Sequence, residues 1–389
     1  MEFKPFKHLA YLTGLRKRLS KPLQYNLSDS CCESLSFAQL LAFDKTNTLD
    51  QLDLGYATIP GSPALRQAIA TIHQRVLPNP QVIDADNVAV FCGAQEALFA
   101  TFNALNSQTE STASEAIVLT PCYPSILAVP EQLGVTVKAV ELSFDNQWQF
   151  TIDDIKARLS NNTRFIVLNS PHNPTGAVMP RELAQEIVTL AREQGIYLIS
   201  DEVSVLSTHQ ESDKVELDIH HPLLAYEKTI AIGVMSKSFG LGGVRIGWAV
   251  TQDKALLQRL LDIKGYTSIC SSATDEHLAT IAINNHQQII KRNNHIIKTN
   301  LAAFSQFIET NGNRFEWHPP KGGILTLVKS NLVIDIHQLA EKLAVEHQVL
   351  ILPGDLFDIE GNYFRLGLGQ SNFVEGLQRF QALVDCLEG

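Results

Sequence analysis

Lys237 follows an apolar stretch, Thr229 to Met235, and opens into Ser238-Phe239-Gly240-Leu241-Gly242-Gly243-Val244-Arg245-Ile246-Gly247. A lysine held at the end of a buried strand can present an uncharged amine, which forms a Schiff base with an aldehyde. Arg245, eight residues on, offers a planar cation for an anion, and the glycines between them let the backbone turn closely. An aldehyde cofactor that carries a phosphate needs both groups.

Four other short stretches end apolar runs with residues of chemical use. Gly93-Ala94-Gln95-Glu96 follows one run and opens a helical pattern, so the N–H groups of Ala94 and Gln95 are placed to bind phosphate. Tyr123, in Pro121-Cys122-Tyr123-Pro124, can lie over a flat heteroaromatic ring or pack within its loop. Asn173 precedes a proline in Ser170-Pro171-His172-Asn173-Pro174-Thr175-Gly176 and is held extended, so its amide can reach a phenolate-like oxygen. His172 beside it reads as structural. Asp201 ends the apolar Ile199-Ser200-Asp201-Glu202-Val203, and a buried carboxylate requires a cation. A protonated pyridine nitrogen would serve and would turn its ring into an electron sink. Glu202 reads as a structural ion-pair partner.

These residues must be carried by strands. Apolar runs at Val88–Cys92, Ala116–Thr120, Val135–Leu142, Phe165–Asn169, Tyr197–Ser200, Thr229–Met235 and Ile246–Val250 alternate with helical patterns such as Pro180–Gln194. That alternation predicts an α/β fold, a three-layer αβα large domain with a mostly parallel sheet covered on both faces. Open sheets of this kind bind ligands at the ends of their strands, where all the stretches above fall. After about Thr267 the pattern turns helical, then offers short strands at Ile324–Val328 and Tyr363–Leu368 around a helix at Ile336–His347. The expected division is a large domain over 46–270 and a smaller α+β domain made of 1–45 with 271–389.

The bulk numbers are compatible with an enzyme of small molecules. The chain has 389 residues, 45% hydrophobic and 19% charged, with a net charge of −10. The acidic balance argues against nucleic acid or an anionic membrane as partner. No apolar run is long enough to span a membrane, and the start, Met1-Glu2-Phe3-Lys4-Pro5, has no apolar leader core. The six cysteines show no metal-type spacing, so no metal is expected and a reducing, cytoplasmic setting is.

Taken in order, Asn-Pro-Thr-Gly at 173–176, Asp-Glu-Val at 201–203, Ser-Lys at 236–237 and Gly-x-Arg-x-Gly at 243–247 resemble the fold-type I pyridoxal-phosphate enzymes, class I/II aminotransferase family. The resemblance covers nearly the whole chain. It implies the pyridoxal-phosphate-dependent transferase fold and pyridoxal 5′-phosphate held by Lys237 as an internal aldimine. Asp201 would sit at the ring nitrogen, Asn173 at the ring oxygen, Tyr123 over the ring, and Ala94, Gln95, Ser236 and Arg245 on the phosphate. Tyr56, in Leu54-Gly55-Tyr56, would reach the phosphate of a neighbouring subunit, which implies a homodimer with shared sites. Arg365, in Tyr363-Phe364-Arg365-Leu366, would grip the substrate α-carboxylate, a task suited to a planar permanent cation. The implied reaction moves an amino group from an L-amino acid to a 2-oxo acid, within amino-acid metabolism.

Two positions depart from the family pattern. Ser204 stands where many members have a tyrosine on the ring oxygen, and Val234 where many have a serine on the phosphate. Leu27-Ser28-Asp29-Ser30-Cys31-Cys32 is loosely similar to a capreomycidine-synthase-like subgroup. A lyase or cyclase of the same fold would share every residue named above and is the alternative; a non-catalytic ligand-sensing domain is a further one.

Overall fold

The computed structural model describes residues 5–45, 49–74, 82–106, 114–209 and 223–387. Met1 to Lys4 and residue 46, where the large domain is taken to begin, lie outside them. A seven-stranded sheet forms the centre, in spatial order Val88–Phe91, Gly247–Thr251, Thr229–Val234, Tyr197–Asp201, Thr163–Asn169, Glu115–Thr120 and Thr136–Glu141. Gly247–Thr251 is antiparallel to both neighbours; every other pairing is parallel. Six strands therefore point their C-terminal ends to one edge.

Alternation of side chains explains the layers. Along Glu115–Thr120, Ile117 and Leu119 pack with Leu183, Ile187 and Leu190 of the helix Arg181–Gln194. Ala116 and Val118 face the other way, onto Ala97, Phe102 and Leu105 of Ala94–Asn106 and Leu256 and Leu260 of Lys254–Lys264. The buried positions of Arg181–Gln194 recur three and four apart, one apolar stripe. That helix stops at Gly195, whose φ of 68° is left-handed and closes the last turn. Emptying one fully buried site on the stripe, such as Ile187, would cost about 2–5 kcal/mol.

Beyond Ala273 two long helices, Ala273–Asn284 and His286–Asn311, lead to a four-stranded antiparallel sheet ordered Leu352–Pro353, Tyr363–Gly367, Leu325–Ser330 and Phe315–Trp317. The helices Ile336–His347 and Phe373–Cys386 complete this part, whose core is rich in phenylalanine. The chain's beginning joins it: Tyr25–Asn26 pairs in parallel with Val349–Leu350, and Leu27 and Cys32 lie in the same core.

Candidate active site

At the edge where the parallel strands end, Ala94, Gln95, Tyr123, Asn173, Asp201, Ser204, Ser236, Lys237 and Arg245 line one cavity. Val234 lines it too. Each lies at or just past the end of a strand of the large sheet except Arg245, which precedes one that runs the other way.

Asp201 is buried, and burial pushes its carboxyl up to about 6 despite one hydrogen bond from the Val203 N–H at 3.3 Å and the charge of Lys237. Asn169 locks the neighbouring loop: its Nδ2 donates to the Asp201 carbonyl at 3.0 Å, and its Oδ1 accepts from the Asn173 N–H at 2.7 Å. The Lys237 Nζ donates to the Ser30 Oγ at 2.6 Å. Burial and the Asp201 charge raise the Tyr123 hydroxyl, which therefore stays protonated at neutral pH.

At the cavity's other end Ala94–Asn106 begins, so the N–H groups of Ala94 and Gln95 have no carbonyl of the helix to bond. Arg245 Nη1 donates to the Gly242 carbonyl at 3.1 Å. Gly93, at φ +92°, leaves the guanidinium its room: a Cβ there would stand 2.8 Å from Arg245 Nη2. The arrangement is a cation facing a helix start across a glycine, which is a cradle for a phosphate.

Arg365 comes from the small sheet and is 5% exposed. Its Nη2 donates to the Ser28 carbonyl at 2.9 Å and its Nη1 to Asn173 Oδ1 at 3.4 Å, while its Nε is buried without a partner. The guanidinium lies 4.6 Å over the Phe357 ring. Burial holds it down to about 10, still charged at neutral pH. A cation with an unused buried donor, beside Asn173, is suited to a carboxylate.

Other expected residues fall elsewhere. Tyr56 is 90% exposed and does not join the cavity of its own chain. His172 is buried behind its loop, Nδ1 sharing a hydrogen bond with Thr175 Oγ1 at 2.8 Å, and burial lowers it to about 4. Glu202 is buried beside His73: its Oε1 accepts from Ser200 Oγ at 2.8 Å and its Oε2 stands 3.9 Å from His73 Nδ1, while burial moves the carboxyl up to about 8 and the imidazole down to about 4.

A model of the family "Aminotransferase class I and II" matches residues 38–375. The chain belongs to that family. Among curated relatives, capreomycidine synthase of Streptomyces vinaceus is 27% identical over 88% of this chain and 84% of its own length. An aspartate aminotransferase of Thermotoga maritima is 26% identical over 87% and 84%. A crystal structure of a PLP-dependent aminotransferase from Streptococcus suis superposes with a TM-score of 0.87 at 27% identity, over 100% of this chain and 99% of that one. The cofactor of the family is pyridoxal 5′-phosphate, and the cavity fits it. Asp201 is a buried anion suited to a pyridinium, and the space a Cβ at position 93 would fill is what lets Arg245 close on the helix start.

Sequence reasoning did not find Ser30, Asn169 or Leu325, which also line the cavity. Asn169 carries a readable signal, a polar residue ending an otherwise apolar strand. Ser30 carries none, being 207 positions from the lysine it meets.

Proposed function

We propose that the chain is a pyridoxal-phosphate-dependent aminotransferase that moves an amino group from an L-amino acid to a 2-oxo acid. The observation that carries this is one cavity lined by Lys237, Asp201, Asn173 and Arg245, with Arg365 bonded to Asn173 at its rim. When bound, the cofactor supplies an aldehyde for amines and an electron-withdrawing ring that stabilises negative charge at the substrate Cα.

The residues divide the work. Arg245, Ser236 and the N–H groups of Ala94 and Gln95 would hold the phosphate. Asp201, ionised above about pH 6, would pair with the ring nitrogen and keep a proton there. Asn173 would serve the ring oxygen, with Ser204 in place of a longer hydroxyl, and Tyr123 would cover the ring. Arg365 takes the α-carboxylate and so orients the Cα–H bond. Lys237 would be the residue that holds the aldehyde, and its free Nζ would be placed to move the Cα proton as general base and acid.

Tyr56, with exposed Leu54, Tyr266 and Ile269, supports a homodimer in which each copy completes the other's site. Among the described residues no helix is long and apolar enough to cross a membrane. We place the enzyme in the cytoplasm on its six cysteines, which form no disulfide and suit a reducing setting. We take 46–270 as the cofactor-binding domain and 1–45 with 271–389 as the smaller one.

Borohydride treatment of the purified enzyme should leave the cofactor's mass on the peptide holding Lys237, and Lys237→Ala should carry none; covalent cofactor in that variant would sink the assignment. Incubated with single amino acids and no acceptor, the enzyme should release about one equivalent of 2-oxo acid per subunit. Sustained release of ammonia or a cyclic product would instead favour a lyase or cyclase, the reading that similarity to capreomycidine synthase supports.

A further inference from the structure

Residues 27–33 run as a ribbon between the two sheets and touch both chemical ends of the site. The Leu27 carbonyl accepts from the Gly367 N–H at 2.7 Å, and the Ser28 carbonyl accepts from Arg365. Ser30 Oγ accepts from Lys237 Nζ at 2.6 Å. Cys32 N–H then donates to the Lys237 carbonyl at 3.1 Å, and Glu33 N–H to the Gly369 carbonyl at 2.8 Å. The Asp29 side chain stiffens the turn, Oδ1 accepting from the Cys31 N–H at 3.0 Å.

Three glycines make this approach possible. A Cβ at Gly240 would stand 2.5 Å from the Glu33 carbonyl oxygen. At Gly367 and Gly369 it would run into the backbone of Asp29 and of Cys31 and Cys32. The chain keeps side chains out of three places so that this ribbon can lie against Lys237 and Arg365. Ser30 is the one residue of the ribbon that lines the cavity.

We propose that Ser30 is a positioning residue for Lys237: its hydroxyl takes one hydrogen of the lysine amine and thereby fixes the direction in which Nζ presents its lone pair. A free lysine chain rotates about four bonds, and a short hydrogen bond to a fixed oxygen removes most of that freedom. Misplacing a reacting atom by about 1 Å costs on the order of a hundredfold in rate. The ribbon also couples this placement to substrate binding, because Ser28 and Ser30 hold Arg365 and Lys237 two residues apart on one backbone.

The inference rests on Lys237 being the reactive amine, and its test has an arm that does not depend on turnover. In cofactor-free protein, labelling of Lys237 by an amine-reactive ester, read by peptide mass spectrometry, should change rate several-fold in Ser30→Ala and stay near the parent in Ser30→Thr. In holoenzyme, Ser30→Ala should retain cofactor and melting temperature, because the ribbon is held by its backbone. Its single-turnover rate with an amino acid should fall about tenfold to a hundredfold. The isotope effect from α-deuterated substrate should rise, substrate affinity should hold, and Ser30→Thr should restore the rate. Unchanged labelling together with an unchanged single-turnover rate in a folded Ser30→Ala would overturn the inference, as would equal losses in both variants. If no amino acid reacts but the labelling differs as stated, the positioning stands and the transaminase reading falls.

Discussion

Replacing Asp201 by asparagine should make the cofactor-free protein more stable, although it removes a group central to the proposed chemistry. The folded chain holds this carboxyl at about 6, against an ordinary 3.8, and burial is the leading cause. A gap of about two pH units at about 1.4 kcal/mol each means that carrying the ionised form at pH 7.5 costs the fold about 3 kcal/mol. The sign follows from which state loses its proton first. The unfolded chain ionises near 3.8 and the folded one near 6, so this group's contribution to stability declines as pH rises through that window and is at its worst above it. At pH 5 roughly half of the cost has accrued. Asp201→Asn escapes it, and its amide oxygen can still accept from the Val203 N–H. Urea unfolding of cofactor-free protein, followed by tryptophan fluorescence, should show the variant ahead by about 3 kcal/mol at pH 7.5 and by about half that at pH 5. Loading with pyridoxal phosphate should erase the lead, since a pyridinium neutralises the carboxylate in the parent alone. A variant no more stable than the parent at pH 7.5, or a lead that does not widen between pH 5 and 7.5, would refute the reasoning.

Two further outcomes follow from the cavity walls. Gly93→Ala puts a Cβ against the Arg245 guanidinium at a left-handed φ, so fluorescence titration should show cofactor affinity lowered by about tenfold or more, and unchanged affinity would remove the phosphate cradle from the account. Arg365→Lys keeps the charge but loses the planar fork bonded to Ser28 and Asn173, so the half-reaction should need at least about tenfold more amino acid while cofactor content stays level. Equal substrate dependence in the two proteins would place the α-carboxylate elsewhere.

Much of this site is legible in the sequence because strands impose it. Asn173, Asp201 and Lys237 each lie just past or at the end of an apolar run, and parallel strands bring such ends to one edge. The strands themselves lie within one or two residues of their apolar runs, and the helix Ile336–His347 falls where its periodicity puts it. Strand direction is not written in hydrophobicity, so the reversed course of Gly247–Thr251 had no signal. The partner of Glu202 had no signal either, because its neighbours in space, His73 and Trp248, come from distant segments. Short pairings such as Tyr25–Asn26 with Val349–Leu350 are too brief for any pattern, yet they set the course of the ribbon that carries Ser30.

That reversed strand has a mechanical consequence. Val234 and Gly247 are register partners, so the chain leaves the sheet toward Lys237 and re-enters it just after Arg245. The amine and the phosphate anchor thus hang from one loop rooted in two adjacent strands. Arg365 hangs from the other sheet. The amine and the phosphate anchor thus share one support, the carboxylate clamp has another, and the ribbon of residues 27–33 is the tie that keeps the two supports in register.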